Sequence, residues 1–333
     1  MDRGVEGQVV GSLATTYMGL ALRSPIVVGS SGLTNSVASI KRLEESGAGA
    51  VVLKSLFEEQ ILIETDAALA ESTPHPEAAD YLGYYVRENQ LTDYLALIRE
   101  AKASVGIPVI ASISCITAGN WTRFAEEIEK AGADGLELNV FILPSDTAMT
   151  GDANEQVCFD VVRDVRARVG IPIALKLGCY YTNLANTLQR LSRTGVAALV
   201  LFNRWYAPDI DLDEETLIGG DPFSSPDDLA VSLRWIAVMA GDVDCDLAAS
   251  TGIHDGPGVI KQILAGATVV QMVSAIYKHS PAVVRESLDD IEAWMAKRGY
   301  GSVADFRGKL SQSHIENPAF YERVQFLKRF GQI

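Results

Sequence analysis

Glu44–Lys54 reads EESGAGAVVLK, Glu129–Asn139 reads EKAGADGLELN, Ser192–Phe202 reads SRTGVAALVLF and Ile263–Met272 reads ILAGATVVQM. Each stretch runs from a helix end through glycine into an apolar, β-rich segment. Glycine just past a helix C-terminus adopts the left-handed cap at little cost, so the chain can turn straight into a strand. Repeated in one chain, this junction indicates helices and strands that alternate.

Working outward, eight apolar runs can be counted. They are PIVVGS from Pro25, AVVLKS from Ala50, PVIASIS from Pro108, DGLELNV from Asp134, PIALKL from Pro172, AALVLF from Ala197, DCDLAAS from Asp244 and TVVQMV from Thr268. They are nearly continuous in apolar residues rather than alternating, as parallel strands covered on both faces should be. Eight is the count that closes a (β/α)8 TIM barrel. Helical patterns lie between them: SVASIKRLEES after Asn35, NWTRFAEEIEKAG after Gly119 and PDDLAVSLRWIAVMAG after Ser225, with Ser36 and Ser225 as N-caps. A doubly wound sheet fits less well, because the first strand leads into GSSGLT rather than a G-x-G-x-x-G turn. Two strand-to-strand intervals are long, after strand 2 and after strand 6. Their excess falls in 55–89 and 204–224, at strand C-termini, where lids or substrate-covering loops are expected. No linker-like shift in composition divides the chain. The expectation is one domain over 1–333, with an N-terminal hairpin at about Val9–Arg23 plugging the barrel floor.

Composition narrows the function. With 48% hydrophobic and 21% charged residues in 333, disorder is excluded. The 28 Lys plus Arg stand against 43 Asp plus Glu, a formal charge of −15, which repels phosphate backbones and anionic lipid. Nucleic acid and membrane are therefore not expected as partners. Cys115, Cys158, Cys179 and Cys245 form no C-x-x-C pair and read as reduced packing thiols, with no metal site. The N-terminus has no apolar core of signal-peptide length, and a cytoplasmic protein is expected.

Candidate chemistry sits at the strand C-termini: Ser30-Ser31-Gly32, Lys54, Ser112 and Ser114, Glu137 and Asn139, Lys176, Asn203 with Arg204, Ser250-Thr251-Gly252, and Gln271 with Ser274. Two lysines in one barrel mouth are costly unless they meet an anion or a polarised ligand. Pairing of each with a carboxylate such as Glu137 is the alternative. The loops after strands 7 and 8 are the usual phosphate site of barrels. Here Gly252, Gly256 and Gly258 would let backbone amides approach a phosphate, although a glycine-rich turn without a ligand reads the same. The four histidines are scattered and lack ligand spacing; His254, on the phosphate loop, stands apart. The acidic runs Asp209–Glu215 and Glu126–Glu129 read as solvated faces.

The order of these strand-end residues, the segment ATVVQMVSAIYKHSP and the tail GYGSVADFRGKL resemble the dihydroorotate dehydrogenase family, nearest its soluble class 1 branch, from roughly Met18 to Leu310. The resemblance implies a barrel with FMN over the strand C-termini. It places Ser31 and Gly32 beside the flavin ring, Lys54 between flavin and substrate, and Asn139 and Lys176 against the flavin. Thr251, Gly252 and Ser274 fall on the phosphate segments, with Thr-Gly where the family has paired glycines. Lys54, Asn139 and Asn203 are the implied substrate-binding residues. The implied reaction is oxidation of dihydroorotate to orotate in pyrimidine biosynthesis, with hydride passing to flavin and an external acceptor reoxidising it. A homodimer is the expected assembly.

Two departures accompany the resemblance. The family's Asn-Ser-Met-Gly-type substrate loop after strand 2 is replaced by a run including YLGYYVRENQ. The family's catalytic cysteine in Asn-x-Ser-Cys-Pro-Asn is absent, the segment reading Asn139-Val-Phe-Ile-Leu-Pro-Ser145-Asp146. Ser145 is then the expected base, ahead of Asp146, although a serine that merely follows Pro144 in a turn reads the same. Lys54, facing both ring and substrate, is the other expected catalytic residue. Two other readings stay open: an FMN oxidoreductase acting on a different small cyclic or unsaturated substrate, and a non-catalytic flavin-binding electron-relay subunit.

Overall fold

The computed structural model describes residues 11–60, 76–115, 118–204 and 207–323. The first elements are an antiparallel hairpin, β1 (Thr15–Tyr17) and β2 (Leu20–Leu22). There follow β3 (Ile26–Val28), α1 (Val37–Glu45), β4 (Ala50–Val52), the short β5 (Leu56–Phe57) and α2 (Pro76–Ser104). Next come β6 (Val109–Ser114), α3 (Ala118–Lys130), β7 (Gly135–Val140), α4 (Gly151–Arg166), β8 (Ile173–Leu177), α5 (Leu184–Ser192) and β9 (Ala198–Leu201). A second hairpin, β10 (Pro208–Asp211) and β11 (Thr216–Gly219), precedes α6 (Leu229–Met239), β12 (Asp246–Ser250), α7 (Gly256–Ala265) and β13 (Val269–Met272). Helices α8 (Ser274–His279) and α9 (Ala282–Arg298) lead to the C-terminal tail.

Eight of these strands close a parallel barrel in the order β3-β4-β6-β7-β8-β9-β12-β13, with β13 pairing back to β3. Val27, Val51, Leu136, Leu175 and Leu199 are buried on such strands, which explains their continuous apolar runs. The glycines of the four junction repeats, Gly47, Gly132, Gly195 and Gly266, have φ of 103, 94, 86 and 127°. Each turn therefore uses the backbone region that only glycine enters cheaply.

One core belt lies between the barrel wall and its helices. A second, smaller cluster fills the barrel floor: Tyr17, Met18 and Leu22 of the hairpin pack on Val27, Val52, Ile110 and Val200. The hairpin turns at Met18 and Gly19, both at positive φ, and the Met18 amide donates to Asp246 Oδ2 at 2.8 Å. It plugs the floor as expected. At the other end of the chain, Phe306 is fully buried and packs edge-on against Trp294 with centroids 5.0 Å apart. Gly308 and Leu310 amides tie the tail to the carbonyls of Ile263 and Leu264.

The two long intervals differ from simple loops. After strand β4, residues 76–89 belong to the 29-residue helix α2, so a helix stands where a covering loop was expected. The rest of that interval, 61–75, lies outside the described residues. After β9 the excess becomes the β10–β11 hairpin, and the acidic run Asp209–Glu215 forms most of β10 and the turn that follows it. The other acidic run is not only solvated: Glu129 accepts from the amides of Gly170 at 2.7 Å and Ile171 at 3.0 Å. Among the cap residues, Ser225 forms a capping box with Asp228, whereas Ser36 opens α1 without a side-chain bond. No helix among the described residues is long and apolar enough to cross a membrane.

Candidate active site

Parallel strands deliver their C-terminal residues to one end of the barrel, and the candidates gather there. At the centre is a buried polar chain. Lys176 Nζ on β8 donates to Gln271 Oε1 on β13 at 2.8 Å, and Gln271 Nε2 donates to Glu137 Oε2 on β7 at 2.5 Å. Lys176 also lies 3.7 Å from Glu137 Oε1, an ion pair in which the side chains are only 9% and 1% exposed. The carboxylate pairing left open for the lysines is thus realised at Lys176. It offsets the ammonium charge and still leaves Lys176 lining a cavity of about 140 Å³ beside Ser30, Asn203, Thr251, Gly252 and Ser274.

That cavity lies at the ends of β12 and β13, where barrels commonly bind phosphate. Gly252 has φ 79°, and a Cβ there would stand 2.1 Å from the Leu229 nitrogen at the start of α6. A side chain there would force the two backbones apart. The preceding Thr251 holds φ 78°, a conformation unusual for a β-branched residue, and its hydroxyl donates to the Phe202 carbonyl at 3.1 Å. Thr-Gly therefore keeps the double left-handed backbone that paired glycines would adopt. Gly32 is similarly crowded, since a Cβ would meet the Tyr277 hydroxyl at 2.7 Å, and Ser31 caps the short turn that follows by accepting from the Leu33 amide.

Further donors converge on the same place from the loop after β11. Ser224 donates its amide to Ser274 Oγ at 2.9 Å, and its hydroxyl accepts from the Gly252 amide at 3.4 Å. His254 Nε2 lies 3.1 Å from Ser224 Oγ, and Lys278 donates to the Ser224 carbonyl at 3.0 Å. Burial, followed by the Lys278 charge, holds His254 below the usual histidine range. Ser224 and Lys278 were not found from sequence. Lys278 is four residues beyond Ser274 on α8, a helical spacing that could have pointed to it, whereas Ser224 reaches the site through a long loop and left no local signal.

The substrate-side candidates divide. Asn203 Nδ2 donates to Asn139 Oδ1 at 2.6 Å, so these two are brought together. Lys54 is exposed and lines a separate cavity of about 270 Å³ with Ser55, Phe57, Asp93 and Tyr94. Hydrogen bonds join the two regions. Ser30 and Ser55 hydroxyls are 3.0 Å apart, Ser55 and Ser112 hydroxyls 2.7 Å, and Tyr94 bonds both the amide and the carbonyl of Ser112. Ser145 lies on the exposed segment between β7 and α4, and it lines neither the Lys54 nor the Lys176 cavity.

The cysteines are all free. Burial pushes Cys158 up to about 11 and Cys245 up to about 12, with Cys115 raised further in direction, which suits packing rather than reactivity. Among the described residues no His, Cys, Asp and Glu group could hold a metal ion.

The converging amide and hydroxyl groups at Gly252, Ser224 and Ser274 suit an anionic phosphate end, and the Gly252 cradle suits its close approach. These residues fit a flavin mononucleotide, with Ser31 and Gly32 available to its ring.

Comparison with known proteins gives the family. The family model described as dihydroorotate dehydrogenase matches residues 12–295. A protein of Thermoplasma volcanium named dihydroorotate dehydrogenase B (NAD(+)), catalytic subunit, is 24% identical over 310 residues, covering 89% of this chain and 97% of its own. The protein of the same name from Methanothermobacter thermautotrophicus is 26% identical over 317 residues, with 89% and 97% covered. That from Methanocella arvoryzae is 27% identical over 273 residues, with 78% and 85% covered.

Proposed function

The chain belongs to the dihydroorotate dehydrogenase family, and from that premise we propose that it is an FMN-dependent oxidoreductase converting dihydroorotate to orotate. One observation carries the reading: Lys176, Asn203, Gly252 and Ser274, from four different strand ends, line a single cavity at the barrel mouth. FMN, when bound, supplies the acceptor for the hydride that leaves the substrate's CH–CH bond.

The chain's own residues do the rest. Gly252, Thr251 and Ser274 would hold the phosphate through backbone and hydroxyl groups, and Ser31 and Gly32 would border the ring. Lys176 would stabilise the negative charge that a bound flavin gains on reduction, its own charge moderated by Glu137 at 3.7 Å. Asn139 and Asn203, already hydrogen-bonded to each other, present amides to the polar edge of a pyrimidine. Lys54 orients the substrate from the adjoining cavity. Ser145 stands on the exposed segment outside both lysine cavities. In this scheme that segment must therefore bring it to the substrate, where its hydroxyl passes the departing proton to water or a polar neighbour, because a hydroxyl is a weak base.

Relatives are named as catalytic subunits, so transfer of electrons onward to a partner subunit belongs to the same reading. A homodimer is also part of it. The β10–β11 hairpin exposes Leu212 by 86% and Leu217 by 79%, apolar surface suited to burial against a second copy. Sedimentation at twice the chain mass is the expected result, and a monomer at micromolar concentration would remove the dimer.

A second substrate is favoured by one observation, the placement of Ser145 on exposed chain outside both lysine cavities. Oxidation of another small cyclic or unsaturated compound is then the alternative. Anaerobic addition of dihydroorotate to the yellow, FMN-loaded protein decides between them. Bleaching with formation of orotate is expected. A flavin that stays oxidised, yet is bleached by dithionite, excludes the dihydroorotate reaction.

A further inference from the structure

Arg204 is a strand-end cation to which the proposed scheme gives no role. It follows Asn203 directly after β9 and lines two cavities at once. One is the cavity of Lys176, Gly252 and Ser274. The other, about 310 Å³, is bordered by Cys179, Phe202, Asn203 and Thr251. Its Nη2 donates to the Asp221 carbonyl at 2.9 Å, which fixes the guanidinium in place. Its Nη1 is buried and has no hydrogen-bond partner.

A desolvated guanidinium nitrogen without an acceptor is costly, and the nearby carboxylates do not relieve it. Glu137 is bonded to Gln271 and paired with Lys176. Asp228, which borders the larger cavity, accepts from Ser225 in its capping box. The Asp221 carboxylate accepts from the Phe223 amide. Among the described residues Arg204 has no ion pair. The chain carries a net −15, yet it keeps one uncompensated cation half-buried in this mouth. A planar fork held at one end and open at the other is the geometry that takes an oxyanion.

We propose that Arg204 binds an oxyanion of a ligand in the barrel mouth, a carboxylate or a phosphate oxygen, through Nη1. This rests on the reading of the mouth as the cofactor and substrate site, and it adds a recognition residue to it. The two sources of the anion are separable, because riboflavin lacks the phosphate of FMN and uracil lacks the carboxylate of orotate.

The test uses full-length protein and Arg204→Gln, with flavin affinity read by fluorescence and orotate affinity read from the visible spectrum of the FMN-loaded protein. Loss of a charge-assisted bond is expected to weaken the anion about tenfold or more. If FMN weakens while riboflavin does not, the partner is the phosphate. If FMN holds and orotate weakens while uracil does not, the partner is the carboxylate. Parent-like affinity for both FMN and orotate overturns the proposal. Should Arg204→Gln fail to fold, Arg204→Lys keeps the charge but loses the fork; a loss of about threefold or more is expected, and unchanged affinities again overturn it. A parent protein that binds no orotate and is not bleached by dihydroorotate refutes the dihydroorotate reading instead. Arg204 is then decided on the FMN and riboflavin measurements alone.

Discussion

Gly252→Ala is the sharpest perturbation of the phosphate position. An alanine Cβ would lie 2.1 Å from the Leu229 nitrogen and 2.6 Å from the Asp228 carbonyl carbon, where ordinary contact begins at 3.4 Å. The strand-end loop and the start of α6 must therefore separate by about 1.3 Å, the difference between 2.1 and 3.4 Å. Backbone φ of 79° adds about 1–2 kcal/mol for a residue with a Cβ. Overpacking adds about 1–3 kcal/mol. The sum, about 2–5 kcal/mol, is below the roughly 5–15 kcal/mol by which domains are stable, so the variant should fold with a lowered Tm. Its flavin site should suffer more, because the displaced amide is itself a proposed phosphate donor. Flavin affinity should fall at least about tenfold, the worth of one charge-assisted bond. Gly132→Ala is the control: φ is 94° there but nothing lies within 4 Å, so it reports the backbone cost without the collision. Thermal unfolding and FMN titration of both variants make the test. A Gly252→Ala protein with the Tm of Gly132→Ala and parent flavin affinity would refute both the clash and the placement.

The remaining expectations concern three other groups. Lys176→Met should make the flavin harder to reduce, lowering its midpoint potential by about 20–40 mV, which is about 1–2 kcal/mol for a two-electron couple; an unchanged potential in folded, loaded protein refutes the assignment. The same change strands Glu137, so Lys176→Met should be markedly less stable than Lys176→Met/Glu137→Gln, and equal Tm values would show that the ion pair is not the constraint. Ser145→Ala should keep fold and FMN but lose about 100-fold or more in dihydroorotate-driven reduction, and Lys54→Met should slow the same step; a Ser145→Ala protein as fast as the parent places the base elsewhere. His254 titrates below its ordinary value when folded, so the unfolded chain takes up the proton first. Its contribution is complete above the ordinary histidine range, around pH 6.5, and is lost as pH falls toward the folded value. His254→Asn should flatten that part of the Tm–pH curve, and an unchanged slope means that another group carries it.

Much of the fold was legible because its signals are local. A glycine cap followed at once by an apolar run needs no partner to be recognised, and four such junctions carry the alternation that closes the barrel. Where an element depends on distant contacts the sequence was less direct. YLGYYVRENQ belongs to α2, but its apolar and aromatic residues also suit a covering loop. Asp209–Glu215 looks like a charge run because the β10–β11 hairpin faces solvent on both sides, which removes the alternation that marks a strand. Glu129 was indistinguishable from its neighbours because its role is set by amides some forty residues on, at Gly170 and Ile171.

The site follows the same division. Strand direction alone predicts that Lys54, Asn139, Lys176, Asn203 and Gly252 share one end of the barrel. It cannot say which of them meet. The structure pairs Asn139 with Asn203, gives Lys176 to Glu137 and Gln271, and sets Lys54 in a neighbouring cavity. This sorting changes the electrostatic argument. An ammonium 3.7 Å from a buried carboxylate exerts little net attraction on an incoming anion, so Lys176 responds chiefly to charge that develops beside it. Among the described residues Arg204 has no ion pair, and its Nη1, without a hydrogen-bond partner, borders the same cavity as Lys176. In the proposed scheme, binding of an anion and stabilisation of reduction thus fall to different residues, Arg204 without an ion pair and Lys176 paired with Glu137. Exchanging their environments, by removing Glu137 or by adding a carboxylate beside Arg204, should exchange which step is impaired.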